Sequence, residues 1–84
     1  MAVVVLMPAA VEQLERIDNP IHGRILRLLA RLKDWPNVSG AKPLSRDLAG
    51  RYRVRTGDYR IQFYITADVV KVEKIGHRDG FYED

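Results

Sequence analysis

Cysteine is absent from all 84 residues, and that removes two kinds of chemistry at once. No disulfide can brace the fold, and no thiolate can serve as nucleophile or metal ligand. The absence fits a reducing compartment without requiring one. Histidine is scarce: His22 and His77 stand alone, with no second ligand at metal-binding spacing, so no metal or other cofactor is expected. Long apolar runs are missing as well. A membrane span needs about 20 apolar residues, and "AVVVL" is far shorter. That run is also too short for the apolar region of a signal peptide and has no basic segment before it, so the cytoplasm is the expected location. There is no Ser/His/Asp spacing, phosphate-cradling glycine loop or dinucleotide fingerprint, and no internal repeat.

What is present reads as one small domain over residues 1–84, near the lower end of what folds unaided. The chain is 46% hydrophobic, which suffices for a core. Fourteen basic residues against 11 acidic ones leave a net charge of +3, a modest excess whose distribution matters more than its sum.

The order of elements follows from periodicity. Ala2–Leu6 is a continuous β-branched run, expected to be a strand buried on both faces. Pro8 suits the first turn of a helix in which Val11, Leu14 and Ile17 share a face. Asn19 is the expected cap of a second helix. There Ile21, Ile25, Leu28, Leu29 and Leu32 form an apolar stripe, and Arg24, Arg27 and Arg31 a basic one. Trp35-Pro36 ends it. Residues 36–43 read as loop, and "LSRDLAG" as one turn anchored by Leu44 and Leu48. Alternation then begins: Tyr52 and Val54 against Arg53 and Arg55, a tight Thr56-Gly57-Asp58 turn, then Tyr59, Ile61, Phe63 and Ile65 against Arg60, Gln62 and Tyr64. A third strand follows Thr66-Ala67-Asp68. Its Val72 and Ile75 are out of phase, which predicts a bulge between them. The expected fold is α+β, β-α-α-β-β-β, with a two-helix hairpin on one face of a mostly antiparallel sheet.

Charge converges on one stretch, "RYRVRTGDYR", with four arginines in ten residues. Strand phase sends Arg53, Arg55 and Arg60 to the face away from the helices, and the end of the last strand is expected to bring His77, Arg78 and Tyr82 toward them. Any one of these residues taken alone reads as solvated charge or a strand-end side chain. Together they supply planar forks for phosphate oxygens, a titratable imidazole and an aromatic that can stack on a base, a set that suits RNA. The Arg24/Arg27/Arg31 stripe, by contrast, reads as the wet side of an amphipathic helix with no part in cleavage.

The motifs "VVVLMPAAVEQLERI", "KPLSRDLAGRYRVRTGDYRI" and "VVKVEKIGHRDGFY" together resemble the RelE/ParE superfamily of toxins, and within it the RelE-type mRNA interferases. The resemblance implies the RelE-like microbial RNase fold and a type II toxin that cleaves mRNA in the ribosomal A site without a metal. It also implies inhibition by a cognate antitoxin, with a heterotetramer as one assembly open to the pair. Carried over, the catalytic set is Arg53, Arg55, Arg60, Arg78 and Tyr82, with His77 as a further candidate. The best-studied branch has lysines where Arg53 and Arg55 stand. An arginine stays protonated, so the general base is left open between His77 and purely electrostatic activation of the 2′-hydroxyl by Arg55. Two other readings stay open: a ParE-type inhibitor of DNA gyrase, and a degenerate toxin that serves only as antitoxin partner and corepressor.

Overall fold

A computed structural model describes residues 2–81. Its elements are β1 (Val3–Leu6), α1 (Pro8–Glu15), α2 (Ile21–Arg31), β2 (Lys42–Pro43), β3 (Arg51–Thr56), β4 (Tyr59–Thr66) and β5 (Val69–His77). The strands form one sheet in the order β1-β5-β4-β3-β2. β1 runs parallel to β5 and the other pairings are antiparallel. The helices cover one face of this mixed sheet, α1 chiefly against β5 and α2 against β3. The expected α+β architecture is present.

Three local expectations change. β1 is not buried on both faces: Val3 is 61% and Val5 41% exposed, because the sheet's second face carries no layer over β1. Its apolar run is continuous only in sequence. Residues 36–43 are not all loop, since Lys42–Pro43 pair with Tyr52 and Arg53 as a two-residue edge strand. An edge is where a strand tolerates proline, whose missing N–H faces outward. The second helix closes at Arg31 and continues as a 3-10 turn over Leu32–Asp34, so Trp35-Pro36 lies just beyond it. Asn19 acts as expected in chemistry, with Oδ1 accepting from the Gly23 N–H at 3.2 Å, though it stands one residue before the cap position. His22 Nδ1 lies 3.1 and 3.0 Å from the carbonyls of Leu14 and Ile17 and ties the two helices' junction together.

The bulge is where the phase conflict puts it. Gln62 pairs with Lys74 and Phe63 with Val72, so Glu73 is the extra residue. Beyond it the inward set shifts from Val70 and Val72 to Ile75, all at most 2% exposed. The distortion turns the Ile75 N–H toward α1, where Gln13 Oε1 accepts it at 2.7 Å. A buried amide is thereby satisfied.

The inner face of the sheet and α2 build the core from Val54, Ile61, Phe63, Val70, Val72, Ile75, Ile25, Leu28 and Leu32. Trp35, Tyr52 and Phe63 extend it as an aromatic trio with centroids 4.8–5.7 Å apart.

Two tight turns set the strand phases. Gly57 opens the β3–β4 turn at φ 58°, a conformation that glycine adopts at no steric cost. The β4–β5 turn uses Ala67 (φ 48°) and Asp68 (φ 65°), both left-handed. Alanine pays a Cβ penalty there of about 1–2 kcal/mol. Ala67→Gly is therefore expected to raise stability by about 1 kcal/mol, a shift of roughly 4–8 °C in thermal midpoint for a domain of this size. A melt followed by circular dichroism checks it. An unchanged or lowered midpoint would show that the turn stores no strain.

Candidate active site

Strand register turns the expected alternation into a grid on the face away from the helices. One row runs Lys42, Arg53, Gln62, Lys74 across β2, β3, β4 and β5. The next is Arg55, Arg60, Gly76. On the other side lies Arg51, Tyr64, Lys71. Arg55 and Arg60 are thus directly opposed like charges, an arrangement that costs stability.

Only one arginine of the grid is neutralised locally. Arg51 Nε donates to Glu73 Oε2 at 2.9 Å, and its guanidinium lies 5.2 Å over the Tyr64 ring. The hydrogen bond and the nearby carboxylate hold Arg51 charged to a still higher pH than usual. The same Glu73 oxygen accepts from Gln62 Nε2 at 2.9 Å. A carboxylate can only accept, so this bond fixes which end of the Gln62 amide faces Glu73. Gln62 Oε1 is left buried without a partner. Arg53 Nε and Arg60 Nη1 are also buried with no hydrogen-bond acceptor. Buried unpaired donors cost about 1–3 kcal/mol each, and more when charged. Arg53, Arg55 and Arg60 make no ion pair among the described residues. Arg53, Arg55 and Arg60 thus form a cationic patch without acidic partners among the described residues. No group of three or more His, Asp or Glu that could hold a metal occurs among the described residues.

The other candidates fall differently. Arg78 follows the end of β5 and is held at the β3–β4 turn, where its N–H donates to the Asp58 carbonyl at 2.7 Å. Its side chain is 59% exposed, with Nε 3.9 Å from an Asp58 oxygen and 3.8 Å from an Asp79 oxygen, so it is only loosely restrained. It sits at the same end of the sheet as Arg55 and Arg60. His77 does not join them. It pairs with Tyr59, whereas its neighbour Gly76 pairs with Arg60, so alternation puts His77 on the Tyr59 face. Its ring meets Tyr59 edge-on at 5.2 Å, and Nδ1 accepts the Asp79 N–H at 3.1 Å. Tyr82 lies outside the described residues.

Sequence reasoning missed three participants. Glu73 reaches this face only because the bulge exposes it there. Lys42 arrives with the unforeseen β2. Phe81 carries no sequence expectation, yet it is only 3% exposed. It folds back over Gly76, where a Cβ would come within 3.3 Å of its ring, and Lys74 Nζ lies 4.7 Å from its centroid. The glycine in the Arg55–Arg60 row is the signal: a side chain there would displace the ring.

The fold has counterparts. The family description for the ParE toxin of type II toxin-antitoxin systems matches residues 4–80. No curated protein matches the chain. Among solved structures, the toxin-antitoxin complex RelBE2 from Mycobacterium tuberculosis is similar, with a TM-score of 0.80 at 24% identity, covering 92% of this chain and 98% of that one. The isolated E. coli RelE toxin superposes with a TM-score of 0.76 at 14% identity, covering 92% and 84%. The YoeB-YefM complex from Staphylococcus aureus gives 0.73 at 17% identity, covering 92% and 97%. At these identities the solved structures establish the fold, and the family match extends over nearly the whole chain. The chain belongs to the ParE toxin family and is a type II toxin of the RelE/ParE superfamily.

Proposed function

We propose that this toxin is an endoribonuclease that cuts mRNA on the ribosome, without a metal, and that a cognate antitoxin holds it inactive. The observation that carries the reading is the pair of buried, acceptorless guanidinium N–H groups on Arg53 and Arg60, beside the opposed charge of Arg55. A gyrase-binding surface has no need of donors prepaid in this way. A phosphate seated among Arg53, Arg55 and Arg60 relieves the Arg55–Arg60 repulsion, and it meets the two buried donors once their side chains turn toward it.

In the proposed reaction the 2′-hydroxyl attacks the adjacent phosphorus and the 5′-oxygen leaves, giving a 2′,3′-cyclic phosphate. Arg60 and Arg53 donate to the non-bridging oxygens and stabilise the added charge of the phosphorane. Arg78, loosely held at the strand end, closes on the same phosphate. Arg55 favours ionisation of the 2′-hydroxyl by its charge, the proton passes to water, and water returns a proton to the departing 5′-oxygen. His77, on the other face, takes no part. Glu73 acts through others, keeping Arg51 out of the row and the Gln62 amide fixed. Tyr82 stacks on a base next to the scissile bond. The antitoxin recognises the arginine face with acidic residues and uses exposed apolar anchors such as Val3, Val5, Val11 and Leu26.

Induced expression followed by primer extension on cellular mRNA tests this, with a gyrase supercoiling assay alongside. New 5′ ends within translated codons are expected, and the upstream fragments should end in a 2′,3′-cyclic phosphate or its 3′-phosphate product. Upstream fragments ending in a 3′-hydroxyl, the usual product of metal-dependent hydrolysis, overturn the mechanism. Blocked supercoiling with intact mRNA gives the ParE-type reading, which the family name favours.

A further inference from the structure

The basic stripe of α2 does not face open water alone. Arg24, Arg27 and Arg31 line a groove of about 300 Å³ together with Arg55 and Thr56 at the edge of β3. A second groove of about 330 Å³ adjoins it, sharing Arg31 and Arg55 and adding Lys42 and Arg53. Among the described residues no acidic side chain lines either groove. Arg31 is set in place by Ser39, whose carbonyl and hydroxyl accept from Nη2 at 3.0 and 3.2 Å. β2 pairs only with Tyr52 and Arg53, so beyond them the edge of β3 is open and the groove passes over it. The three helix cations, at i, i+3 and i+7, extend along about 10 Å of axis.

We infer that this groove is a binding track for the RNA phosphate backbone, carrying the strand flanking the scissile phosphate over the β3 edge and onto α2. The inference rests on the ribonuclease reading above. Arg53 and Arg55 belong to both the proposed cleavage row and the groove, so one polyanion can occupy the two without a break. A protein segment is the poorer occupant. Binding a protein relies on apolar anchors in pockets, and the apolar residues lining this groove, Leu28 and Val54, are 3% and 1% exposed. The exposed Leu26 of the same helix lies outside it. A phosphate backbone requires only the row of cations.

The test is fluorescence anisotropy with a labelled 2′-O-methyl RNA, which binds but cannot be cut, titrated at several KCl concentrations. Arg24→Ala/Arg27→Ala is expected to weaken binding at least tenfold at low salt. The slope of log K against log[KCl] should become shallower by about 1.4, from about 0.7 per lost single-strand phosphate contact. Arg24→Lys/Arg27→Lys should keep the slope, and Arg16→Ala/Lys33→Ala, an equal loss of two charges outside the groove, should keep both slope and affinity. In ribosome cleavage the double alanine variant should need more toxin for half-maximal rate, while the saturating rate stays within a few-fold. Unchanged RNA affinity in the alanine variant overturns the inference, as does a wild type that fails to bind the RNA. Lost antitoxin affinity with RNA binding intact also overturns it, and assigns the groove to a protein. RNA binding that depends on Arg24 and Arg27 in a toxin that cuts nothing supports the track and removes the nuclease reading.

Discussion

Arg60→Ala is expected to relieve growth arrest and to slow mRNA cleavage about 10²–10³-fold, the loss typical of one preorganised oxyanion donor. The argument joins packing to chemistry. Arg60 lies between Arg55 and Gly76 in the register, and its Nη1 is buried without an acceptor. The fold has already met the cost of removing this donor from water, and a turn of the Arg60 side chain presents it to the phosphate. The same cost makes a second, opposite forecast. Removing Arg60 ends a directly opposed like-charge pair and an unsatisfied donor, so the variant should be at least as stable as the wild type. Cleavage on programmed ribosomes and a thermal melt measure the two quantities. An inactive variant with a clearly lower midpoint would make Arg60 a structural residue. A fully toxic variant would end the proposed site and move gyrase inhibition to first place.

Phe63→Ala should remove a large share of the free toxin's stability. Phe63 is 0% exposed at the middle of β4, stacked on Tyr52 at 5.7 Å and edge-on to Trp35 at 5.3 Å. Truncating a buried phenylalanine costs about 3–5 kcal/mol. A chain of this length has roughly 4–13 kcal/mol in total, at 0.05–0.15 per residue. Tyr52, whose ring loses its stacking partner, belongs to the strand that carries Arg53 and Arg55, so activity should fall with the fold. Urea denaturation of the isolated chain gives the number. A loss under about 1 kcal/mol would mean that the trio collapses onto the space and that the core is far more adaptable than its packing indicates. Bound antitoxin should mask part of the loss, because any ligand of the native state stabilises it by mass action.

The two expectations differ in how far the sequence announces them. A strand's side chains alternate with a period of two, so apolar Val54 and Ile61 settle the face of Arg53, Arg55 and Arg60 without any tertiary information. Even the bulge was legible, because Val72 and Ile75 cannot share a face unless one residue is inserted between them. Features that depend on neighbours distant in the chain were not legible. β1 looks doubly buried because sequence does not reveal that one sheet face is uncovered. β2 is two residues long and contains a proline, too short for any pattern. The face of His77 depends on pairing beyond the bulge. Phe81 needed the hole above Gly76 to explain it. The groove depends on where α2 crosses the sheet edge, which no periodicity encodes, and so its arginines read as ordinary solvated charge.

The strand order has a consequence for the toxin's birth. β5 lies between β1 and β4, so β1 has no sheet neighbour until residues 69–77 have been synthesised. Val3 must wait for Val69, and the row of Arg55 and Arg60 for Gly76. Such distant pairings close slowly compared with helices and hairpins. A nascent chain that has made both helices and the β3–β4 hairpin therefore still has no completed cation face. The machine that makes this toxin is, in the proposed reading, also its target, and the late closure of the sheet delays the weapon until the strand that completes it has left the ribosome.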